Sequence, residues 1–471
     1  MAGYRELKIF LAFAVEKKCR IYQIDFIGAF LHAKSQNRTF TVLPEEWKEL
    51  FPDLSEWFGI PLLLLKSVYG TVDGPRNWDD TLKKALLEFG FKQCFSANSI
   101  YLYEEQNKFL AITNATDDEL IASNSNELRL RFINFLKSRF DIEDIGQAHW
   151  YLQGRITQNN DFSILLDQSW YMSLISARFL PQSDNVNVKI EDKEKHKSPL
   201  PTTFVPTKED SSSNSLEVKA LEKQHGFQYS SAVGMLIYLL NTATALQFAI
   251  KKLAKFNNLP GKKHYKALIN LLQHVRTHKY NYGLKFYPLD GNPPIYNLIR
   301  RCEPDFQFDQ FPIVIFCDSS WQDCVDTGRS TGAYYIYINR SLVLSTTFVP
   351  TPIAQSSAEA EYNICAYALT DAIHVNQVWN FLHGRHLDTP QTLALFTDSN
   401  SAIAMIECDH VTRYSRHIQR RVHFIKQARM NGLFQVFKVP GEINPADVGT
   451  KNLSGTEIEK HLPVIHHRVN I

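Results

Sequence analysis

The chain has 471 residues, enough for two or three domains, and 44% of them are hydrophobic, which permits large cores. A net charge of +2 excludes reading nucleic-acid affinity from bulk charge, so any basic surface must be local. The seven cysteines form no CxxC pair and no zinc spacing; their scatter suits a reducing, intracellular protein.

Residues 1–18 read as a helix. Its KIFLAFAV run has the length of a signal-peptide core, but EKKCR follows at once and no small-residue cleavage site is present, so a buried amphipathic helix is expected. RIYQIDFIGAFLHA predicts a strand ending at Asp25 and a tight turn through Gly28. In PLLLLKSVYGTVDGPRNWDDTLKKALLEFGF, the Tyr-Gly turn and the Gly-Pro pair at 74 and 75 form an entry into a helix. FLAITNATDDELIASN places Asp117 and Asp118 between two apolar runs, as in a hairpin turn bearing paired carboxylates. Each acid alone reads as a cap or a solvated turn residue. Together, a strand-end Asp and an Asp-Asp hairpin match the palm of a nucleic-acid polymerase, where two Mg²⁺ ions activate the primer hydroxyl and bind the triphosphate.

Polar, charged residues from 184 to 215 predict a linker or mobile loop. Residues 216–283 are helical in pattern, with Leu268, Leu271, Leu272 and Val275 on one face, and Lys251, Lys252, Lys255, Lys262, Lys263 and Arg276 leave the segment basic. The uncharged stretch 232–250 is broken by Asn241, Thr242, Thr244 and Gln247, which favours two packed helices over a membrane span. Then PIVIFCDSSW predicts a buried strand delivering Asp318 at its tip. Glu361 lies on a long helix, 356–383, capped by Ser356 or Ser357; Asp398 ends the apolar run LALFTD; Asp447 sits where a short helix begins in NPADVGTK. With strands at 311–317, 332–339, 342–348, 392–397 and 433–438, this is a mixed five-stranded sheet flanked by helices. Crowded carboxylates repel unless a cation sits among them, and two Mg²⁺ ions held there suit attack of water on a phosphodiester. A basic helix, 413–430, carries Arg413, Arg416, His417, Arg420, Arg421, His423, Lys426 and Arg429 and suggests phosphate contact. The His466–His467 pair falls in an expected disordered tail.

The wording CDSSW, GRSTGAYYIY, QSSAEAEY, FTDSNSAI, YSRHIQRRVHFI and NPADVGTKNL is similar to the ribonuclease H end of copia-type LTR retrotransposon polyproteins. QIDFIGAFLH, LKSVYGTVDGPRNW, NATDDELIAS and FDIEDIGQAHWYLQGRI resemble the reverse-transcriptase motifs of the same family, and YSSAVGMLIYLL its thumb and connection region. The resemblance implies an α+β chain: a reverse-transcriptase palm with partial fingers at 1–183, a linker at 184–215, a helical thumb or connection at 216–305, a ribonuclease H-like mixed α/β domain at 306–455 and a tail at 456–471. It implies metal-binding catalytic acids Asp25, Asp117 and Asp118 for RNA-directed DNA synthesis, and Asp318, Glu361, Asp398 and Asp447 for hydrolysis of RNA/DNA hybrid. Mg²⁺, with Mn²⁺ as a substitute, is the implied cofactor, two ions per site. RNA template, DNA primer, hybrid and dNTPs are the implied partners. The implied setting is cytoplasmic, in virus-like particles, or nuclear, with no membrane and no signal peptide. Phe30 stands where the family places a ring under the sugar to reject a 2′-hydroxyl, and plain core is the competing expectation.

Three departures weaken the polymerase expectation. Ala115 replaces the aromatic residue expected before Thr116-Asp117-Asp118, and Asp73 replaces Gln, adding an anion where a triphosphate is expected. The chain also begins shortly before Asp25, leaving the fingers and their triphosphate-binding Lys and Arg unrepresented. TATAL, where the family has Arg-Pro-Asp-Ile, marks further drift. The alternatives are therefore a ribonuclease H with a polymerase-inactive palm, and a non-catalytic nucleic-acid-binding remnant. The sequence does not specify the oligomeric state.

Overall fold

The computed structural model describes residues 3–181, 196–385, 391–408 and 418–469. The chain divides into two compact units, residues 1–10 with 19–148 and residues 11–18 with 149–471. Helix α1 (Tyr4–Glu16) forms where the apolar run predicts it.

The first unit is built on β1 (Arg20–Phe26), the short pair β2 (Phe40–Thr41) and β3 (Leu62–Leu63), helix α2 (Gly74–Phe89), β4 (Lys92–Cys94), β5 (Ala97–Glu105), β6 (Lys108–Ala115), β7 (Asp118–Ser123), α3 (Asn126–Lys137) and β8 (Ile142–Gln147). Six strands form one sheet in the order β4-β5-β6-β7-β1-β8. Ile24, Phe26, Ile112 and Ile121 from the sheet share a core with Trp78 and Leu82 of α2 and Phe132 of α3. The Ser125 hydroxyl caps α3 by accepting from Leu128 N–H, which fixes where that helix starts. The hairpin forms as the sequence predicts, but its turn is Thr116 and Asp117: the β6–β7 ladder ends at the Ala115–Asp118 pair, so Asp118 opens β7 rather than sharing the turn.

The second unit starts with β9 (Trp150–Tyr151), β10 (Gly154–Gln158), β11 (Ile164–Asp167) and α4 (Ser169–Phe179). Four helices follow: α5 (Ser215–His225), α6 (Tyr229–Leu239), α7 (Gln247–Ala254) and α8 (Lys262–His278). The 232–250 stretch is thus split between α6 and α7, and no helix among the described residues is long and apolar enough to cross a membrane. Leu268, Leu271, Leu272 and Val275 of α8 are fully buried, as their spacing predicts. Then come β12 (Leu284–Phe286), α9 (Pro294–Cys302), β13 (Ile313–Ser320), β14 (Thr331–Ile338), β15 (Ser341–Phe348), α10 (Ser357–Leu382), β16 (Leu393–Thr397), α11 (Asn400–Glu407), α12 (Gln419–Met430), β17 (Phe434–Lys438) and α13 (Gly455–Ile465). The five-stranded sheet runs β15-β14-β13-β16-β17, antiparallel from β15 to β13 and parallel from β13 to β17.

Two glycines let this sheet accept its neighbours. A Cβ at Gly332 of β14 would lie 2.0 Å from Ile364 of α10, and one at Gly449 would lie 2.5 Å from Ala333. The helix carrying Glu361 and the turn carrying Asp447 therefore both press onto β14.

Two sequence expectations need correction, and the compact units divide elsewhere than the expected palm, which runs to 183: β11 pairs with β12 across more than a hundred residues and draws 149–181 into the second unit. Residues 196–215 of the expected linker are docked: Leu200 is buried, and the Asn270 amide donates to the Ser198 and Pro199 carbonyls at 3.1 and 3.0 Å. Residues 184–195 lie outside the described residues. The expected tail is helix α13, started by a Ser454–Glu457 capping box, and His466 is buried, its Nε2 accepting from Ala245 N–H at 3.1 Å.

Glu119 on β7 is fully buried, both carboxylate oxygens lack a hydrogen-bond partner, and burial pushes its carboxyl up to about 8 from 4.5. The folded state therefore keeps a proton that the unfolded chain releases. Its contribution is fully present below about pH 4.5 and is lost as pH rises toward 8, at up to ~1.4 kcal/mol per pH unit. Denaturant melts of Glu119→Gln between pH 5 and 9 should show a flatter pH dependence than the parent and higher stability at the alkaline end.

Candidate active site

In the second unit, β13 carries Asp318 to a point where it is 1% exposed. Glu361 sits just over one turn into α10, whose start is set by Ser356 accepting from Glu359 N–H. Asp398 follows the last residue of β16, and Asp447 lies on a short 3₁₀ turn, 445–449. The Asn444 amide ties that turn to β13 by donating to the Cys317 carbonyl at 2.9 Å. Ligand oxygens of Asp318, Glu361 and Asp398 all lie within 4.8 Å of one another. Asp447 does not complete this trio; its Oδ2 accepts from Lys451 Nζ at 2.8 Å instead.

Burial first, and neighbouring acids second, hold the carboxyls of Asp318 and Glu361 well above the usual range. Burial does the same to Asp398 and Asp447. Glu361 Oε1 accepts from Ser319 N–H at 3.0 Å, but its Oε2 is buried without a partner, as is Asp447 Oδ1. The Thr450 hydroxyl donates to Asp318 Oδ2. Lys451 Nζ lies 2.8 Å from Asp447 Oδ2 and 3.6 Å from Asp318 Oδ1. Hard oxygen donors, mutual repulsion and orphaned buried oxygens together fit a divalent cation such as Mg²⁺.

In the first unit, the β1–β7 register sets Asp25 directly opposite Asp118, and Phe26 N–H donates to the Asp117 carbonyl at 2.8 Å. The three acids therefore meet at one end of the sheet, and burial with neighbouring carboxylates raises all three carboxyls. Neutral donors occupy two of them: Tyr69 hydroxyl to Asp117 Oδ2 at 3.0 Å, and Gln23 amide to Asp118 Oδ1 at 2.9 Å. Among the described residues, only Asp318, Glu361 and Asp398 converge tightly enough to hold an ion as they stand. The turn residue Thr116 takes a φ of 58°, and its carbonyl accepts from Trp78 Nε1 at 2.7 Å. Phe30 is buried in the core cluster with its ring 4.5 Å from Tyr69. Asp73 accepts from the amides of Asn37 and Asn77, both at 3.1 Å, so its charge is tied to the start of α2.

The basic helix is only partly free. Arg421 donates to Asn363 at 2.9 Å and to the Tyr367 hydroxyl at 2.8 Å, and Arg429 caps the Ile406 carbonyl at 3.0 Å. Arg413, Arg416 and His417 lie outside the described residues. Sequence reasoning passed over Thr450, Lys451, Tyr69 and Gln23. Only Lys451 carried a signal, its position one helical turn after Asp447 in NPADVGTK.

The first unit has the fold of a reverse-transcriptase palm, and the five-stranded sheet with its carboxylates has the mixed topology expected from the sequence. Residues 1–192 match the family described as reverse transcriptase (RNA-dependent DNA polymerase), and nearly the whole chain is similar to retrovirus-related Pol polyproteins of transposons. It is 23% identical over 455 residues to the retrovirus-related Pol polyprotein from transposon RE1 of Arabidopsis thaliana, covering 96% of this chain and 28% of that protein. To the corresponding polyprotein from transposon TNT 1-94 of Nicotiana tabacum it is 22% identical, covering 96% and 31%. The chain thus spans less than a third of the length of these relatives. A foamy viral protease-reverse transcriptase solved in complex with double-stranded DNA is similar at 12% identity, covering 89% of this chain and 56% of that one, with a TM-score of 0.43.

The repulsion at Glu361 has a measurable cost. Glu361→Gln should stabilise the second unit by about 1–3 kcal/mol at neutral pH in EDTA. It should also lose most of the thermal stabilisation that millimolar Mg²⁺ gives the parent. Calorimetric scans with and without Mg²⁺ read both effects.

Proposed function

We propose that this chain carries the polymerase and ribonuclease H activities of a copia-type retrotransposon, and that the second unit hydrolyses the RNA strand of an RNA/DNA hybrid. The observation that carries the nuclease reading is the convergence of Asp318, Glu361 and Asp398 within 4.8 Å, with a buried, unpartnered Glu361 oxygen among them. Those three residues would hold Mg²⁺, or Mn²⁺ in its place. A bound divalent ion supplies a Lewis acid and a water of lowered pKa, suited to attack on a phosphodiester. Ser319 N–H fixes the Glu361 carboxylate, and the Thr450 hydroxyl fixes Asp318, so the acids are oriented before substrate arrives. The hybrid is recognised by its shape and its 2′-hydroxyls, so no base sequence is required. Exposed Arg420 and His423 of α12 supply donors for its phosphates.

The palm reading assigns Asp25, Asp117 and Asp118 to Mg²⁺-dependent extension of a DNA primer on an RNA template with dNTPs, with Phe30 beneath the sugar. A second reading, nuclease with an idle palm, is favoured by the Tyr69 and Gln23 hydrogen bonds that hold Asp117 and Asp118, and by Ala115.

Cleavage of labelled hybrid, run beside primer extension on poly(rA)/oligo(dT), tests both. Asp398→Asn should lower cleavage at least about 100-fold while leaving any extension unchanged. Cleavage that persists in Asp318→Asn and Asp398→Asn would remove the nuclease reading; cleavage without extension would select the idle palm.

A further inference from the structure

Four carboxylates around one point leave room for more than one positive charge, and one such place is already filled. Asp318 has two kinds of neighbour. One of its oxygens converges with those of Glu361 and Asp398. Lys451 Nζ, in turn, sits 2.8 Å from Asp447 Oδ2 and 3.6 Å from Asp318 Oδ1. The ammonium is held there by the backbone, since Lys451 follows Asp447 by four residues and Lys451 N–H donates to the Asp447 carbonyl at 3.0 Å. Glu361, whose Oε2 is buried without a partner, takes no part in this ion pair.

We propose that Lys451 is a built-in counter-cation occupying the Asp318–Asp447 place, so that the substrate-free nuclease site takes one divalent ion, between Asp318, Glu361 and Asp398, rather than two. The inference rests on the nuclease reading of that site. A lysine is suited to such a post. Its charge sits on a flexible stem, and its side chain is 39% exposed, bordering a cavity of about 230 Å³ lined also by Ser320, Thr450 and Asn452. It can hold the acids in place while the site waits and swing toward the cavity when a phosphate arrives. Lys451 is thus a positioning residue: it acts on Asp447 and Asp318, and sets how many ions the carboxylates admit.

The test counts Mn²⁺ bound to the full chain by electron paramagnetic resonance, without nucleic acid. In the parent, one ion should disappear on Asp398→Asn, and Asp447→Asn should change that ion's Kd by less than about 3-fold, against at least about 10-fold for Asp398→Asn. Lys451→Met should bind one more Mn²⁺ than the parent, and adding Asp447→Asn to it should remove the extra ion. Lys451→Arg, which keeps the charge, should bind as the parent does. An unchanged count in folded Lys451→Met would overturn the proposal. So would a parent that loses its ion as readily to Asp447→Asn as to Asp398→Asn, a comparison that needs no lysine variant. A parent with no ion sensitive to Asp398→Asn would instead overturn the nuclease reading beneath it.

Discussion

Acidic side chains taken out of water and set side by side must be offset, or they protonate. Most of the second unit's central architecture can be understood from that constraint. The strand that buries Asp318 is held in register on both edges, by β14 and by β16. The helix bearing Glu361 reaches the sheet only because β14 offers a glycine at 332. The turn bearing Asp447 is pinned to the same strand by an asparagine amide and to β14 by the close approach at Gly449. Each attachment removes freedom from one acid. Together they prevent the carboxylates from drifting apart, which would otherwise relieve the repulsion at little cost.

Much of this was legible in the residues. An apolar run ending in Asp marks a buried strand and its exit, and both β13 and β16 follow that pattern. The β13 strand extends past Asp318 to Ser320 because its ladder with β14 continues to Thr331, a pairing the local pattern does not display. Long-range pairing is what local reading cannot see, and it explains why the compact units divide at 148: nothing within 149–181 announces a partner strand at 284–286. The tail is a different case. Its Ser454-x-x-Glu457 capping box is a local signal for a helix start, whereas the histidine pair carries no local signal of burial. His466 owes its burial to Thr244 and Ala245, more than two hundred residues earlier. Asp447 was legible as a member of the site, but its placement beside Lys451 rather than within the trio depends on the pitch of one short turn.

The two acid clusters solve the same electrostatic problem by different means, and the difference ranks them. In the second unit a cation, Lys451, offsets Asp318 and Asp447, and Glu361 Oε2 stays without a partner. In the palm, uncharged donors from Tyr69 and Gln23 hold Asp117 and Asp118. Those bonds occupy one oxygen of each acid, and Asp117 Oδ1 is buried without a partner and stays open to a cation. A cation that needed the bonded oxygens as well would have to displace neutral donors already in place. In the second unit no such displacement is needed, since oxygens of Asp318, Glu361 and Asp398 already lie within 4.8 Å of one another.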